Sequence, residues 1–452
     1  ICSSKIHYSK PNMTLKTLAS RIVDTINAYY INKYLNIPEE KYPQIQREFL
    51  TRQLIRAQKN VPFYRNLLKG QKITNENCLE ILSQLPIVTK QDLRTLGSNV
   101  YASFVDKNWR KWFNTGGSTG EPFHFPIGGN SQFELKGELF CQAQLYTRMV
   151  GDWHCKISSV DGRKVSEEEK NKKIFWGNTN KNFPYGATHY SAMYLNAENF
   201  PYYLTALNCD KPEVLRGYPS GIYELARLIK ETKSSLSFDL KAIYLTSENI
   251  LDYQVKLIEE TFNCKVWGQY GHSEASIFAV RYPDSVAYEC SPLYGIVEIL
   301  KPDGSHASIG EMGEIAVTGF QYSALPFIRY KTGDLAVYGG NRNGVVILDE
   351  LLGRNSDYII DKHGNKLFLA GLLFGAHIKT FNVVGAWQII QNEPGVLEIN
   401  IVKTHEYSKE DEIGLTEFFS NYGFITDIKY TDRISKTSRG KQQFMIQNLK
   451  DF

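Results

Sequence analysis

Leu50, Leu54, Ala57 and Val61 recur at helical spacing. The pattern stops at Pro62, and the residue before a proline is steered away from helical backbone, so a helix ending there is expected. In LPIVTKQDLRTL (85–96), Thr89 is placed as an N-cap and Asp92 falls in the first turn. Residues 1–100 read mostly as helix. From residue 113 the texture changes. KAIYLTS (241–247) and KVWGQYG (265–271) read as buried strands, and NILDYQVKLIEETF between them as an amphipathic helix. Strand–helix–strand is the signature of a parallel sheet.

Shorter apolar runs follow at GIVEIL (295–300), GEIAVTGF (313–320) and GVVILDE (344–350), predicting a small β subdomain. LEINIVK (397–403) and DIKYTDRI (427–434) read as strands flanking a helix over KEDEIGLTEFFSNYG (409–423). The expected fold class is therefore α/β. A large N-terminal domain (1–352) carries parallel sheets, helices and the β subdomain, and a small mobile α+β C-terminal domain (353–452) follows. The charged, glycine-rich segment 161–182 is expected to be an exposed loop or helical insertion. There is no internal repeat and no low-complexity tract.

Composition narrows the function classes. A chain of 452 residues exceeds one ordinary core. A net charge of +4 gives no strong pull toward nucleic acid. The seven cysteines (2, 78, 141, 155, 209, 264 and 290) show no CxxC pair and no histidine at metal-ligand spacing, so free thiols in a reducing compartment are expected. Cys290 reads as core. No apolar run reaches the ~18 residues of a membrane span, and the first residues carry no apolar signal core. A cytoplasmic protein is expected.

The candidate chemistry begins at TGGSTGEP (115–122). Glycines let backbone N–H groups approach an anion, and the hydroxyls of Thr115, Ser118 and Thr119 add donors. The loop lacks the lysine of a GxxxxGK[ST] phosphate loop. Taken alone, it is compatible with a plain turn or with a phosphate cradle.

Further stretches follow in order: VPFYR (61–65), LPIVTKQDL (85–93), RGYPSGIYELA (216–226), LTSE (245–248), QYGHSE (269–274), YGIVEIL (294–300), GEIAVTG (313–319), LPFIRYKTGD (325–334), GRNSDYI (353–359) and RGK (439–441). With the loop, they make the chain resemble the adenylate-forming ligases, within them the phenylacetate–CoA ligase branch, and in texture the capsule-biosynthesis protein subgroup of that branch. The resemblance spans nearly the whole chain. It implies that ATP and a carboxylic acid form an acyl-adenylate, and that an amine or thiol then takes the acyl group.

On that resemblance, Thr115, Gly116, Gly117, Ser118, Thr119 and Gly120 match the loop that holds the β- and γ-phosphates. Glu274 matches the carboxylate that organises Mg²⁺. Ser247 and Glu248 fall in the adenine-contacting turn, and Tyr270, with Gln269 and Gly271 beside it, matches the aromatic flanking adenine. Asp334 matches the acceptor of the ribose hydroxyls, and Arg354 a second ribose or phosphate contact. Lys441 matches the lysine between the acid's carboxylate and the α-phosphate, which would explain the lysine missing from the loop. Tyr218, Pro219, His272 and Ser273 fall where the acid pocket is expected. Each position also has a plain structural reading: Asp334 as a turn cap, Glu274 as a first-turn acid, His272 as packing.

Departures bear on the acceptor and the hinge. The hinge position is Ser356, where relatives carry a charged residue. The segment KHGNKLFLAGLL (362–373) lacks the RG-rich signature of thioester-forming members. The cysteine and histidine zinc ligands of some relatives are not evident between Glu274 and Gly295. The reading is an ATP- and Mg²⁺-dependent ligase that transfers an activated acid to an amine, with surface polysaccharide as a candidate destination. Transfer to coenzyme A is the alternative, and an inactive scaffold on the same fold is a third. No nucleic acid partner and no membrane span are expected.

Overall fold

The computed structural model describes residues 15–114, 123–128, 137–354, 358–369, 372, 383–404, 407–437 and 441–449. The helical opening consists of α1 (Leu15–Leu35), α2 (Tyr42–Asn60), α3 (Pro62–Leu67), α4 (Cys78–Gln84) and α5 (Lys90–Leu96). α2 ends at Asn60, as the proline predicts, and Pro62 opens α3 at its first position, where a missing N–H costs nothing. Thr89 and Asp92 form a reciprocal capping box on α5, with Thr89 N donating to Asp92 Oδ2 at 2.8 Å.

Next come the hairpin strands β1 (Trp112–Asn114) and β2 (His124–Pro126), then α6 (Gly137–Val150), β3 (Ile157–Asp161), α7 (Glu167–Asn171), β4 (Trp176–Asn178), β5 (Thr188–Ser191) and α8 (Phe200–Asp210). The βαβ region follows: β6 (Val214–Gly217), α9 (Pro219–Glu231), β7 (Ala242–Thr246), α10 (Asp252–Phe262) and β8 (Val266–Gly271). Six further strands are β9 (Phe278–Arg281), β10 (Tyr288–Cys290), β11 (Gly295–Leu300), β12 (Met312–Gly319), β13 (Tyr330–Arg342) and β14 (Val345–Arg354).

Among the described residues, one sheet runs β11-β12-β13-β14-β10-β9-β8-β7-β6-β3-β5-β4. Its centre, β8-β7-β6-β3-β5, is parallel. The β-rich stretch is continuous with the parallel sheet, because β9 pairs antiparallel with β8 and extends it. It does keep a separate core, around Ile315, Phe327 and Leu348.

Segment 161–182 is also more ordered than an exposed loop. A Ser166–Glu169 capping box starts α7, and β4 pairs with β5. Its first residues continue from the buried strand β3 and face a cavity.

The C-terminal part contains β15 (Tyr358–Ile360), β16 (Lys366–Phe368), β17 (Val384–Glu393), β18 (Val396–Lys403), α11 (Lys409–Asn421), β19 (Ile425–Tyr430) and β20 (Met445–Gln447). A four-stranded sheet, β19-β18-β17-β20, is distinct from the large one. The alternation of Leu397, Ile399 and Ile401 aims one face of β18 inward, where Leu415 and Phe419 of α11 are also buried. The strand expected at 427–434 begins at Ile425 and ends at Tyr430, and residues 431–434 leave the sheet. Val384 and Trp387 share a core with α9 and α10, and Tyr223 Oη donates to Val384 O at 3.2 Å.

The six described cysteines are free, and Cys290 is buried in β10, where burial pushes its thiol far up. No described helix is long and apolar enough to cross a membrane.

Candidate active site

The carboxyl ends of β3, β6, β7 and β8 face one region, the usual location of a ligand crevice in an open α/β sheet. A cavity of about 430 Å³ opens there, lined by Asp161 to Arg163, Arg216 to Tyr218, Thr246 and Ser247. Gly217 has to be glycine, because a Cβ would stand 2.4 Å from Val160 O. Ser247 leaves β7 with φ of 74°, a left-handed turn unusual for a residue with a side chain.

One polar group is built on neighbouring strands. Asp334 and Arg354 are register partners on β13 and β14, with Arg354 Nε 3.4 Å from Asp334 Oδ1. Tyr270 Oη, from the end of β8, donates to Asp334 Oδ2 at 2.6 Å. Burial, and then the charge of Asp334, hold the Tyr270 phenol well above its ordinary range, so it stays a donor. Gln269 accepts from Thr246 Oγ1 at 2.7 Å and donates to Tyr270 O, tying β7 to the same group. Gly271 closes the strand, with Ile277 O only 3.0 Å from where a Cβ would be.

Glu274 lies in the turn after β8 and is buried. Tyr330 Oη donates to its Oε1 at 3.2 Å, and His272 Nδ1 is 3.2 Å from Oε2. That second approach is an ion-pair distance without hydrogen-bond alignment, because both ring nitrogens of His272 are buried without hydrogen-bond partners. Burial alone would raise the Glu274 carboxyl. Attraction to His272 and the Tyr330 bond outweigh burial and bring it down to about 2. Ser273 is half-buried in the same turn.

The C-terminal part reaches the cavity from the other side. Lys441 Nζ sits 5.6 Å from the ring centre of Tyr218, the residue preceding α9, and Pro219 is buried as the first residue of that helix. Glu248 is half-buried just after β7. It accepts from Ser220 N (2.9 Å), Ser220 Oγ (3.0 Å) and Gln442 N (2.8 Å). Burial raises this carboxyl, against the pull of those donors and of Lys441.

The structure therefore brings Ser247, Glu248, Gln269, Tyr270, Gly271, Glu274, Asp334, Arg354, Tyr218 and Lys441 to one end of the sheet. The loop residues Thr115 to Gly120 and the hinge residue Ser356 lie outside the described residues. On either side of the loop, β1 and β2 pair as a hairpin, with Asn114 opposite His124.

Sequence reasoning missed three cations. Arg216 stands in the quoted RGYPSG without having drawn a role. Arg163 falls in the segment taken as exposed. Lys90 was noticed only as part of a helix start. Val88 bridges to Tyr330, with Val88 N donating to Arg329 O at 3.0 Å, and this carries Lys90 to the site. The Lys90 ammonium is lowered by burial and by Arg354, and steadied by Glu274 and Asp334.

The chain is similar to known proteins over most of its length. Residues 362–448 match the CapK C-terminal domain family. The chain is 28% identical to Protein CapK of Staphylococcus aureus over 407 residues, 87% of this chain and 86% of that protein. A 2-hydroxyisobutyryl-CoA ligase in its postadenylation state superposes with a TM-score of 0.66 at 16% identity, covering 89% of each chain. AtGH3.15, an acyl acid amido synthetase in complex with 2,4-DB, gives 0.60 at 14% identity, covering 94% of each chain.

Proposed function

Starting from a CapK-like chain on the fold of adenylate-forming ligases, we propose that this protein activates a carboxylic acid with ATP and passes the acyl group to an amine. An oxygen of the acid attacks the α-phosphorus, the α–β phosphoanhydride breaks, and pyrophosphate leaves. The amine nitrogen then attacks the acyl carbon and loses a proton as AMP departs. The observation that carries this reading is the position of Lys441. A cation from the C-terminal part stands over Tyr218 at the wall of the cavity, on the same sheet end as Asp334, Arg354 and Tyr270.

In this reading, residues 1–352 form the adenylation domain and residues 353–452 a lid that pivots near Ser356. Asp334 takes the ribose hydroxyls, Tyr270 flanks the base, and the loop Thr115–Gly120 supplies backbone donors to the terminal phosphates. Lys441 stabilises charge building at the α-phosphate, an effect that fixed donors supply in a water-poor site. Glu274 suits Mg²⁺, a cation that takes one or two carboxylates and keeps phosphate oxygens and water. Both of its oxygens retain lone pairs beyond the Tyr330 bond. When bound, the ion would neutralise triphosphate charge.

An amine acceptor is preferred to coenzyme A because residues 362–373 lack the RG-rich signature of thioester-forming members. Product analysis with coenzyme A and with an amine panel separates the two. The central test is acid-dependent ATP–pyrophosphate exchange. Lys441→Ala should lower it by roughly two orders of magnitude, the scale of losing one transition-state donor. Wild-type exchange in that variant, or no exchange with any acid, would overturn the reading, and the second result would favour a scaffold.

A further inference from the structure

We infer that the cavity selects an acid that carries, besides the carboxylate to be activated, a second anionic oxygen group held by Arg216 and Arg163. Arg216 is largely enclosed at the end of β6. Its Nε has no hydrogen-bond partner, and its Nη1 reaches Ser159 Oγ only at 3.5 Å. The rings of Tyr185 and Tyr244 stand 5.0 and 5.5 Å from its guanidinium. Among the described residues, no carboxylate lies within ion-pair distance of it. The cavity's own carboxylate, Asp161, is already engaged, by His189 Nδ1 at 2.6 Å and by Arg163 N at 3.0 Å.

Arg163 adds a second cation to the lining. Its Nη2 pairs with Glu169 at 2.5 Å, but its Nη1 is buried without a partner. Enclosing a guanidinium without a carboxylate is costly, and the planar fork matches an oxyanion in two-point contact. A pocket for an aryl or alkyl acid has no use for either group, because such sites are lined mainly by apolar side chains.

The two ends of the cavity differ accordingly. Lys441 over Tyr218 marks the reacting end, and Arg216, two residues earlier in the chain, lies further in along the strand. Which end reacts rests on the adenylation reading. The charge preference of the cavity does not.

Calorimetric titration and pyrophosphate exchange test the two separately, with glutarate and glucuronate 1-phosphate against hexanoate and benzoate as probes. Glutarate and glucuronate 1-phosphate, each with a second anionic group, should bind, and the monoanions should bind at least about tenfold more weakly. Arg216→Met should weaken binding of the first two on the order of ten- to hundredfold, the scale of a lost charged hydrogen bond. Arg163→Met should act in the same direction. Melting curves and unchanged ATP binding confirm that each variant is folded.

If glutarate or glucuronate 1-phosphate binds in an Arg216-dependent way but supports no exchange, the inference stands and the adenylation reading falls. Preferred binding of hexanoate or benzoate would overturn the inference while leaving adenylation intact. So would an Arg216→Met variant that raises KM for ATP but not for the acid, or binding of none of the four probes.

Discussion

Glu248 and Gln442 are 194 residues apart in the chain and meet at 2.8 Å, the Gln442 N–H donating to the Glu248 carboxylate. The same carboxylate caps the start of α9 through Ser220. A single half-buried acid thus joins the turn after β7, the start of α9 and the backbone next to Lys441.

Because this joint is charged and partly buried, it should be sensitive to pH. Glu248 is raised above the ordinary glutamate value of 4.5 by burial. A raised folded-state value means the native state binds the proton more tightly than the unfolded chain, so its contribution is fully present below that value and is lost as pH rises through the folded-state one. Glu248→Gln keeps an oxygen acceptor and does not titrate. Its stability relative to wild type should therefore improve as pH rises from about 4.5 to about 7.5, read by thermal melting across that range. A gap independent of pH would refute the assignment. Glu248→Ala leaves buried donors unmatched and should cost about 1–3 kcal/mol. If the joint positions Lys441, the alanine variant should also lose kcat for exchange by more than it raises KM for ATP.

Tyr270→Phe isolates the contact with Asp334. The phenol donates at 2.6 Å to a buried carboxylate that Arg354 also approaches. Removing the hydroxyl takes the 2.6 Å donor from Asp334, at a cost of about 1–3 kcal/mol. If Asp334 takes the ribose hydroxyls as proposed, its displacement should raise KM for ATP several-fold with little change in kcat. Asp334→Asn should raise it further. A fall in kcat alone in Tyr270→Phe would instead place this residue in the chemistry.

The local elements were largely legible in the sequence. The Thr89–Asp92 cap and the run β7–α10–β8 follow from periodicity and capping residues, which act over a few positions. Long-range pairing was not legible. Nothing in the alternation of Phe278–Arg281 says that it docks beside β8, or that β10 joins β14 across more than fifty residues, because a period of two fixes a face and not a neighbour. The same limit hid Arg216, Arg163 and Lys90. Each stands in a stretch with another obvious local role, and only the tertiary fold turns it toward the site. Asp334 and Arg354 were named through family resemblance, and their register pairing on β13 and β14 is what sets them side by side.

Lys90 gives a third prediction. It is half-buried beside Arg354, Glu274 and Asp334, and burial and the neighbouring arginine lower its ammonium. On the proposed adenylation reading, a cation so placed would meet the phosphates of ATP. Lys90→Ala should raise KM for ATP by about tenfold, the worth of one charged hydrogen bond, and Lys90→Arg should recover part of the loss. Unchanged ATP kinetics in Lys90→Ala would make this lysine structural.

The last prediction concerns the joint that delivers Lys90. Arg329 is buried, with Nη2 2.8 Å from Glu298 Oε1 and Nη1 donating to Ser83 O (2.8 Å) and Leu85 O (2.9 Å). It therefore ties β11 to the end of α4, just before the segment that bridges to Tyr330. Removing one partner of a buried pair leaves an uncompensated charge, so Arg329→Met should destabilise the protein by about 3–5 kcal/mol. Replacing both partners by apolar residues removes that charge, so Arg329→Met with Glu298→Leu should recover much of the loss in stability. The two backbone carbonyls at Ser83 and Leu85 would still lack their donor, so KM for ATP should stay raised through a displaced Lys90. Chemical denaturation and ATP titration of the single and double variants separate these effects. Full recovery of both stability and KM in the double variant would show that Arg329 serves the ion pair alone and does not position Lys90.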